Sequence, residues 1–184
     1  MQDTVRVAVD AMGGDNAPLE IVKGAVEAVN ERDDIKVFLV GRKEEIINEL
    51  GKYSYDSNRI EVVHAQEVIS NDEAPVLAIR RKKDSSIVVA LNLVKNKEAD
   101  AFVSAGSTGA VLAGSQLIAG RIKGIERPPL APLIPTMNGV SLLVDCGANV
   151  DARPSHLVQF AKLGSIYMEN IVGIKNPRVA IVNI

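Results

Sequence analysis

Three short glycine-bearing loops hold most of the residue types able to do chemistry in this chain. The first reads Asp10, Ala11, Met12, Gly13, Gly14, Asp15, Asn16, Ala17, Pro18. Glycines let backbone N–H groups approach a phosphate at a helix start, and a carboxylate on each side of them suits the positioning of a ligand or a hydrated group. The same residues also suit a tight strand-to-helix turn capped by Asp15 or Asn16. The second loop, Ser104, Ala105, Gly106, Ser107, Thr108, Gly109, Ala110, is the stronger signal. Hydroxyls interleaved with glycines ahead of an apolar helix combine free N–H groups, side-chain donors and a positive helix end into an anion site, the alternative being a plain flexible turn. It has no Walker lysine, so nucleotide hydrolysis is not indicated. In the third loop, Asp145 to Asp151, Asn149 can donate to an oxyanion and Asp145 can orient a donor or accept a proton. Asx-turn chemistry, in which both bond their own backbone, is the alternative.

Other candidates stand outside those loops. Arg80, Arg81, Lys82 and Lys83, followed by Asp84, Ser85 and Ser86, can meet a phosphate or an acidic partner, or form a solvated face. Arg127 precedes Pro128 on a glycine-containing stretch where a guanidinium can clamp an oxyanion. The single cysteine, Cys146, has no histidine near it in sequence and reads as a small buried residue rather than a nucleophile. His64, at a strand end, and His156, at a helix start, read as structural.

These loops need strands and helices to aim them. Short β-branched runs at Val5 to Val9, Val37 to Val40, Ile60 to Val63, Ala101 to Val103, Ser141 to Val144 and Val179 to Ile184 read as strands, apolar on both faces as in a sheet covered on both sides. Helical spacing marks Pro18 to Arg32, with Asn16 as cap, and also Lys43 to Leu50, Ser86 to Lys97, Thr108 to Ile122 and Pro154 to Ile171. Their alternation predicts an α/β fold with a mostly parallel sheet and helices on both faces. The prolines between Arg127 and Pro135 exclude helix interior and predict an edge strand or a crossover.

The 184 residues predict a single α/β domain. A strand at Arg178 to Ile184 is left without its loop and covering helix, so the expectation is a chain truncated at its C-terminus, the N-terminal part of a longer protein. Net charge is −2, which excludes the basic footprint of a nucleic-acid binder. The N-terminus lacks the pattern of a signal peptide, no segment has the roughly 20 apolar residues of a membrane span, and the single cysteine fits a reducing compartment. The expected location is the cytoplasm.

Taken in order, the segments VAVDAMGGDNAP, EAPVLAIRRKKDSS, SAGSTGAV, GRIKGIERPPLAP, DCGANVDARPSHLVQFA and GSIYMENIVGIKNPRVAIVNI resemble the PlsX phosphate acyltransferases over essentially the whole chain. The resemblance implies a three-layer fold related to isocitrate dehydrogenase and phosphotransacetylase. It implies transfer of a long-chain fatty acyl group from acyl carrier protein to inorganic phosphate for phospholipid synthesis, with no cofactor and no metal. It also implies a homodimer, peripheral contact with the inner face of the membrane and a functional link to the glycerol-phosphate acyltransferase. Carried over by position, it makes Asp10, Asp15, Arg127, Asp145 and Asn149 catalytic candidates. Gly13, Gly14, Arg80, Lys82, Ser85, Ser86, Ser104, Gly106, Ser107, Thr108, Gly109 and Gly147 become candidates for binding substrate or phosphate. The expected mechanism is direct attack of phosphate on the thioester, with the Ser107 and Gly109 loop holding the phosphate. The rival readings are a phosphotransacetylase working on coenzyme A, a nicotinamide-dependent dehydrogenase, which the missing GxGxxG weakens, and a non-catalytic module that binds phosphate or acyl groups.

Overall fold

The structure, a computed structural model, describes residues 4–182, which fall into two compact units, one ending at Gly120 and the other beginning at Arg121.

In the first unit, β1 (Val5–Asp10) leads into α1 (Leu19–Glu31), β2 (Ile35–Gly41), α2 (Lys43–Leu50) and β3 (Ile60–His64). Then come α3 (Pro75–Arg81), α4 (Ser86–Lys95), β4 (Ala101–Val103) and α5 (Thr108–Gly114), which runs on into a π-helical turn, Ser115–Ala119. The four strands are parallel in the order β3-β2-β1-β4. Alternation along β2 explains why both faces must be covered. Val37 and Leu39 point to the side of α1 and α2, where they join Val22, Val26, Val29, Ile46 and Leu50. Phe38 and Val40 point the other way and join Ala8, Ala90 and Ala99 beneath α4. Each fully buried aliphatic, such as Leu39 or Ile46, contributes about 1.5–3 kcal/mol of transfer free energy. A further cluster, with Ile79, Ile87, Leu91 and Ala110, packs α3, α4 and α5 together.

α1 forms because Val22, Ala25, Val26 and Val29 repeat at helical spacing and are the residues it buries. Asn16 does not cap it with its side chain; the Asn16 carbonyl instead accepts from the Glu20 N–H at 3.2 Å. α3 lies where the sequence suggests only a basic run. Its signal is Pro75 in the first turn, the pair Ala78 and Ile79 turned inward, and Arg80 and Arg81 at the C-terminal end, where cations oppose the helix dipole.

The edge between β1 and β4 is tied by Arg6 and Asp100. The guanidinium donates to both carboxylate oxygens, at 2.8 and 3.1 Å, and the Arg6 N–H adds a bond at 2.9 Å. These bonds, the guanidinium's first, hold the Asp100 carboxyl at about 2 against an ordinary 3.8. A lowered folded-state pKa means the contribution is complete above the ordinary value and is lost as pH falls through the folded one. The stability difference between the parent and Asp100→Asn should therefore be constant above pH about 4 and shrink as pH falls toward 2. Denaturant melts at stepped pH read this directly, and a pH-independent difference would show that the carboxylate's charge is immaterial.

In the second unit, β5 (Leu133–Thr136) and β6 (Gly139–Leu142) form an antiparallel hairpin, followed by α6 (Pro154–Tyr167) and a π-helical turn, Met168–Val172. The expected strand at Ser141 to Val144 is thus shifted and antiparallel rather than a buried parallel strand. The overlooked signal is the Asn138-Gly139 step between two apolar runs, with Gly139 at φ +126 closing the turn opposite Thr136. Pro135 stands in a hairpin strand, where the edge has no ladder bond to lose. Residues 179–182 form no strand, contrary to expectation, and 183 and 184 lie outside the described residues. Their β-branched composition favours extended backbone, but a strand needs a neighbour, and Val179, Ile181 and Val182 are 58%, 76% and 89% exposed.

Candidate functional site

The chain runs outward from β1 through β2 to β3 and then returns to place β4 on the other side of β1. The carboxyl ends of β1 and β4 therefore flank the point where strand order reverses, the usual ligand crevice of an open α/β sheet. The first and second glycine loops leave from those two strand ends.

Asp10 laces them together. It is 1% exposed, and its Oδ2 accepts from Ser104 Oγ at 2.7 Å while its Oδ1 accepts from the Met12 N–H at 3.1 Å. Ser104 Oγ in turn accepts from the Gly106 N–H at 3.0 Å. A Cβ on Gly13 would lie 2.5 Å from Asp10 Oδ2 and 2.8 Å from the Gly106 nitrogen, so the loops meet at a separation only glycine permits. Gly14, at φ +96, turns the chain away. The Asp15 side chain is exposed and makes no hydrogen bond among the described residues. Asp10 is thus a buried strut, and Asp15 is the carboxylate of this loop that faces outward.

In the second loop Ser107 is the N-cap of α5: its Oγ accepts from the Ala110 N–H at 3.3 Å and its carbonyl from the Val111 N–H at 2.9 Å. The first-turn N–H groups of Thr108 and Gly109 have no intrahelical acceptor, and the Thr108 side chain is exposed. Gly109 has a packing reason to be glycine, since a Cβ there would lie 2.6 Å from Pro75 Cγ at the start of α3.

The two lysines of the basic run are bonded within the fold. Lys82 Nζ donates at 2.7 Å to both Glu73 Oε1 and the Val68 carbonyl. That bond, with the Ser70 N–H behind it, holds the Glu73 carboxyl below its usual range. Ser85 and Ser86 are buried, 0% and 1% exposed, and Ser85 Oγ donates to the Lys82 carbonyl. Lys82 thus ties the end of α3 back to the segment before it, and Ser85 closes the turn between α3 and α4. Arg80 is exposed. A cavity of about 380 Å³ beyond β2 and β3, lined by Arg42, Lys43, His64 and Gln66 with two glutamates, lies off the strand-reversal point, and its Arg42 already pairs with Glu45.

Within the second unit, Asp145 and Asn149 bond backbone of their own loop and of the 128–130 stretch. Asp145 Oδ1 accepts from the Leu130 N–H and Oδ2 from the Asn149 N–H, each at 2.6 Å, and Asn149 Nδ2 donates to the Pro128 carbonyl at 3.2 Å. The Asx-turn alternative does not describe these bonds: one spans the loop from Asp145 to Asn149 and the other two reach Leu130 and Pro128 on a separate segment, while Gly147 supplies the loop's left-handed residue at φ +89. Cys146 is exposed, not buried as its position after a strand suggests, because β6 ends before it. Arg127 is exposed on the stretch these bonds hold.

A family model described as fatty acid synthesis protein matches residues 5–184. A phosphate acyltransferase of Clostridium novyi (strain NT) is 54% identical over 98% of this chain and 54% of its own length. One from Alkaliphilus oremlandii (strain OhILAs) is 56% identical over 98% of this chain and 53% of its own. The chain spans about half the length of the curated relatives it matches. Among solved structures, a phosphotransacetylase from Streptococcus pyogenes superposes with TM-score 0.67 at 21% identity, over 93% of this chain and 55% of that one. The EutD phosphotransacetylase from Staphylococcus aureus gives 0.64 at 17%, over 90% and 53%. These structural likenesses bear on the fold, which agrees with the α/β class expected from sequence.

Proposed function

Because the chain belongs to the fatty acid synthesis protein family, we propose that it is the N-terminal part of an acyltransferase that moves a long-chain fatty acyl group from acyl carrier protein to inorganic phosphate. The observation that carries this reading is the pair of laced glycine loops at the point of strand reversal, rich in N–H and hydroxyl donors and holding no histidine. That composition suits a reaction whose leaving group needs little help. A phosphate oxygen attacks the thioester carbonyl, the C–O bond forms, and a tetrahedral oxyanion develops. The C–S bond then breaks, and the carrier thiolate takes up the proton that hydrogen phosphate gives up. Orientation of two anionic reactants and stabilisation of the oxyanion are the main tasks, so no covalent enzyme intermediate is required.

In this reading the Thr108 and Gly109 N–H groups and the Ser107 and Thr108 hydroxyls hold phosphate, and Asp15 orients it or its water. Homodimer formation, peripheral contact with the inner face of the membrane and delivery of acyl phosphate to the glycerol-phosphate acyltransferase belong to the same proposal. Exposed apolar side chains such as Met137, Val150 and Ile171 on the second unit fit a surface with partners. No helix among the described residues is long and apolar enough to cross a membrane.

The test is acyl phosphate formation from palmitoyl acyl carrier protein and phosphate, by this chain and by a form extended to the relatives' length. Turnover by either supports the reading; turnover only with coenzyme A thioesters selects a phosphotransacetylase, and none in either form selects a non-catalytic binding module. Replacing Ser107 and Thr108 together by alanine should raise the phosphate KM by about tenfold or more, since each removes a hydrogen bond to a charged group. An unchanged phosphate dependence would remove this loop from the site.

A further inference from the structure

One side of α3 carries four residues that the fold leaves unused. Helical spacing makes Val76 the neighbour of Arg80 and Leu77 the neighbour of Arg81, since residues four apart meet on a helix surface. Ala78 and Ile79 take the other side and are buried with residues of α4 and α5. Val76 and Leu77 are 47% and 50% exposed, and both arginines are exposed. The basic run therefore divides by direction. Lys82 turns to Glu73 and Lys83 Nζ donates to the Ile79 carbonyl at 3.3 Å, whereas the guanidinium groups of Arg80 and Arg81 make no hydrogen bond or ion pair among the described residues. Glu73 and Asp84, on either side of the helix, are already engaged, the first by Lys82 and the second by the Gln66 N–H at 3.1 Å.

This face starts at the second glycine loop. Pro75 Cγ stands 2.6 Å from where a Cβ on Gly109 would lie, and Ile79 shares a cluster with Ala110, so the first turn of α3 is packed against the loop. Seven residues of helix span about 10 Å, which keeps the whole exposed row within that distance of the loop along the helix axis. Complementing the helix dipole is reason enough for arginines at the end of α3. It gives no reason for two large apolar side chains left in water beside them. Apolar residues together with arginine, and with the lysines turned away, are the composition of the centre of a protein interface.

We propose that the outer face of α3, formed by Val76, Leu77, Arg80 and Arg81, is where the acyl carrier protein docks, through an acidic segment of that protein that also carries an apolar strip. This rests on the reaction proposed above. That reaction has one macromolecular substrate, whose thioester must be delivered to phosphate at residues 107–109, so its docking face has to lie beside that loop. Two unpaired guanidinium groups set the charge of the partner, and the adjoining valine and leucine set the apolar strip next to its carboxylates. The arginines steer the encounter and fix its orientation, while burial of the apolar pair slows release.

The experiment measures binding of fluorescently labelled acyl carrier protein by anisotropy, to this chain and to the form extended to the relatives' length, at low and high salt. KM values for carrier and for phosphate are added for each form that turns over. The variants are Arg80→Glu with Arg81→Glu, Arg80→Lys with Arg81→Lys, and Leu77→Ser. Lys23→Glu with Lys95→Glu makes the same charge change on α1 and at the end of α4 as a control. Carrier binding should weaken by about tenfold or more in the double glutamate variant and by about threefold in Leu77→Ser, and should be kept by the lysine pair and by the control. It should also weaken with salt. Undiminished carrier binding in the double glutamate variant overturns the inference alone. So does a raised phosphate KM with an unchanged carrier KM, which would make the arginines phosphate ligands. A change of sedimentation in Leu77→Ser with carrier binding intact would give the face to a second copy of the chain, and lost binding to phosphatidylglycerol vesicles with carrier binding intact would give it to lipid; either overturns the inference. Parent forms that neither bind the carrier nor turn it over overturn the proposed function with it.

Discussion

Gly13→Ala should lower stability by about 3 kcal/mol, the upper end of overpacking costs, and Tm by about 6–12 °C. The new Cβ would meet Asp10 Oδ2 at 2.5 Å and the Gly106 nitrogen at 2.8 Å. Neither can retreat cheaply, because Asp10 is bound to Ser104 and Met12 and is buried, while Gly106 is backbone. The control is Gly24→Ala in the middle of α1, where a Cβ meets nothing within 4 Å and a gain of about 0.5–1 kcal/mol is expected. Thermal melts of the two variants separate close approach from the general preference for alanine in helices. Equal behaviour of both would mean that the loops part without penalty.

Ser104→Ala should cost about 1–3 kcal/mol, because it withdraws a donor from a carboxylate that is 1% exposed. The loss also reaches the second loop, since the Gly106 N–H gives up its acceptor. Hydrogen exchange at Gly106 should therefore accelerate in Ser104→Ala, while amides in the middle of α1 change only by the global loss of stability. Unchanged Gly106 protection would show that the Asp10–Ser104 bond does not hold the loops together. With phosphate present, the same variant should bind more weakly, because the amides of the second loop are no longer held in one arrangement.

Amino-acid pattern was enough for most elements of the first unit because they are defined by short-range periodicity. Lys43 to Leu50 and Ala101 to Val103 are helix and strand with the bounds their side-chain spacing implies. α3 escaped because a seven-residue helix ending in arginines looks like a solvated basic run until Ala78 and Ile79 are seen buried. α5 and α6 end early as α-helices and pass into π turns at Ser115 and Met168, a change of hydrogen-bond partner that leaves no mark on apolar spacing.

The sequence by itself determined the α/β class, the parallel sheet and the identity of the donor-rich loops, because side-chain alternation and glycine-hydroxyl clusters are local properties; the family was legible from the resemblance of six segments taken in order. Only the tertiary structure decided which polar residues remain free to act. Asp10, Lys82, Ser85, Asp145 and Asn149 look as available in the sequence as Asp15, Thr108 and Arg127, yet folding spends the first five on internal hydrogen bonds. A buried polar atom must find a partner, and that partner can be distant along the chain, as Ser104 is from Asp10.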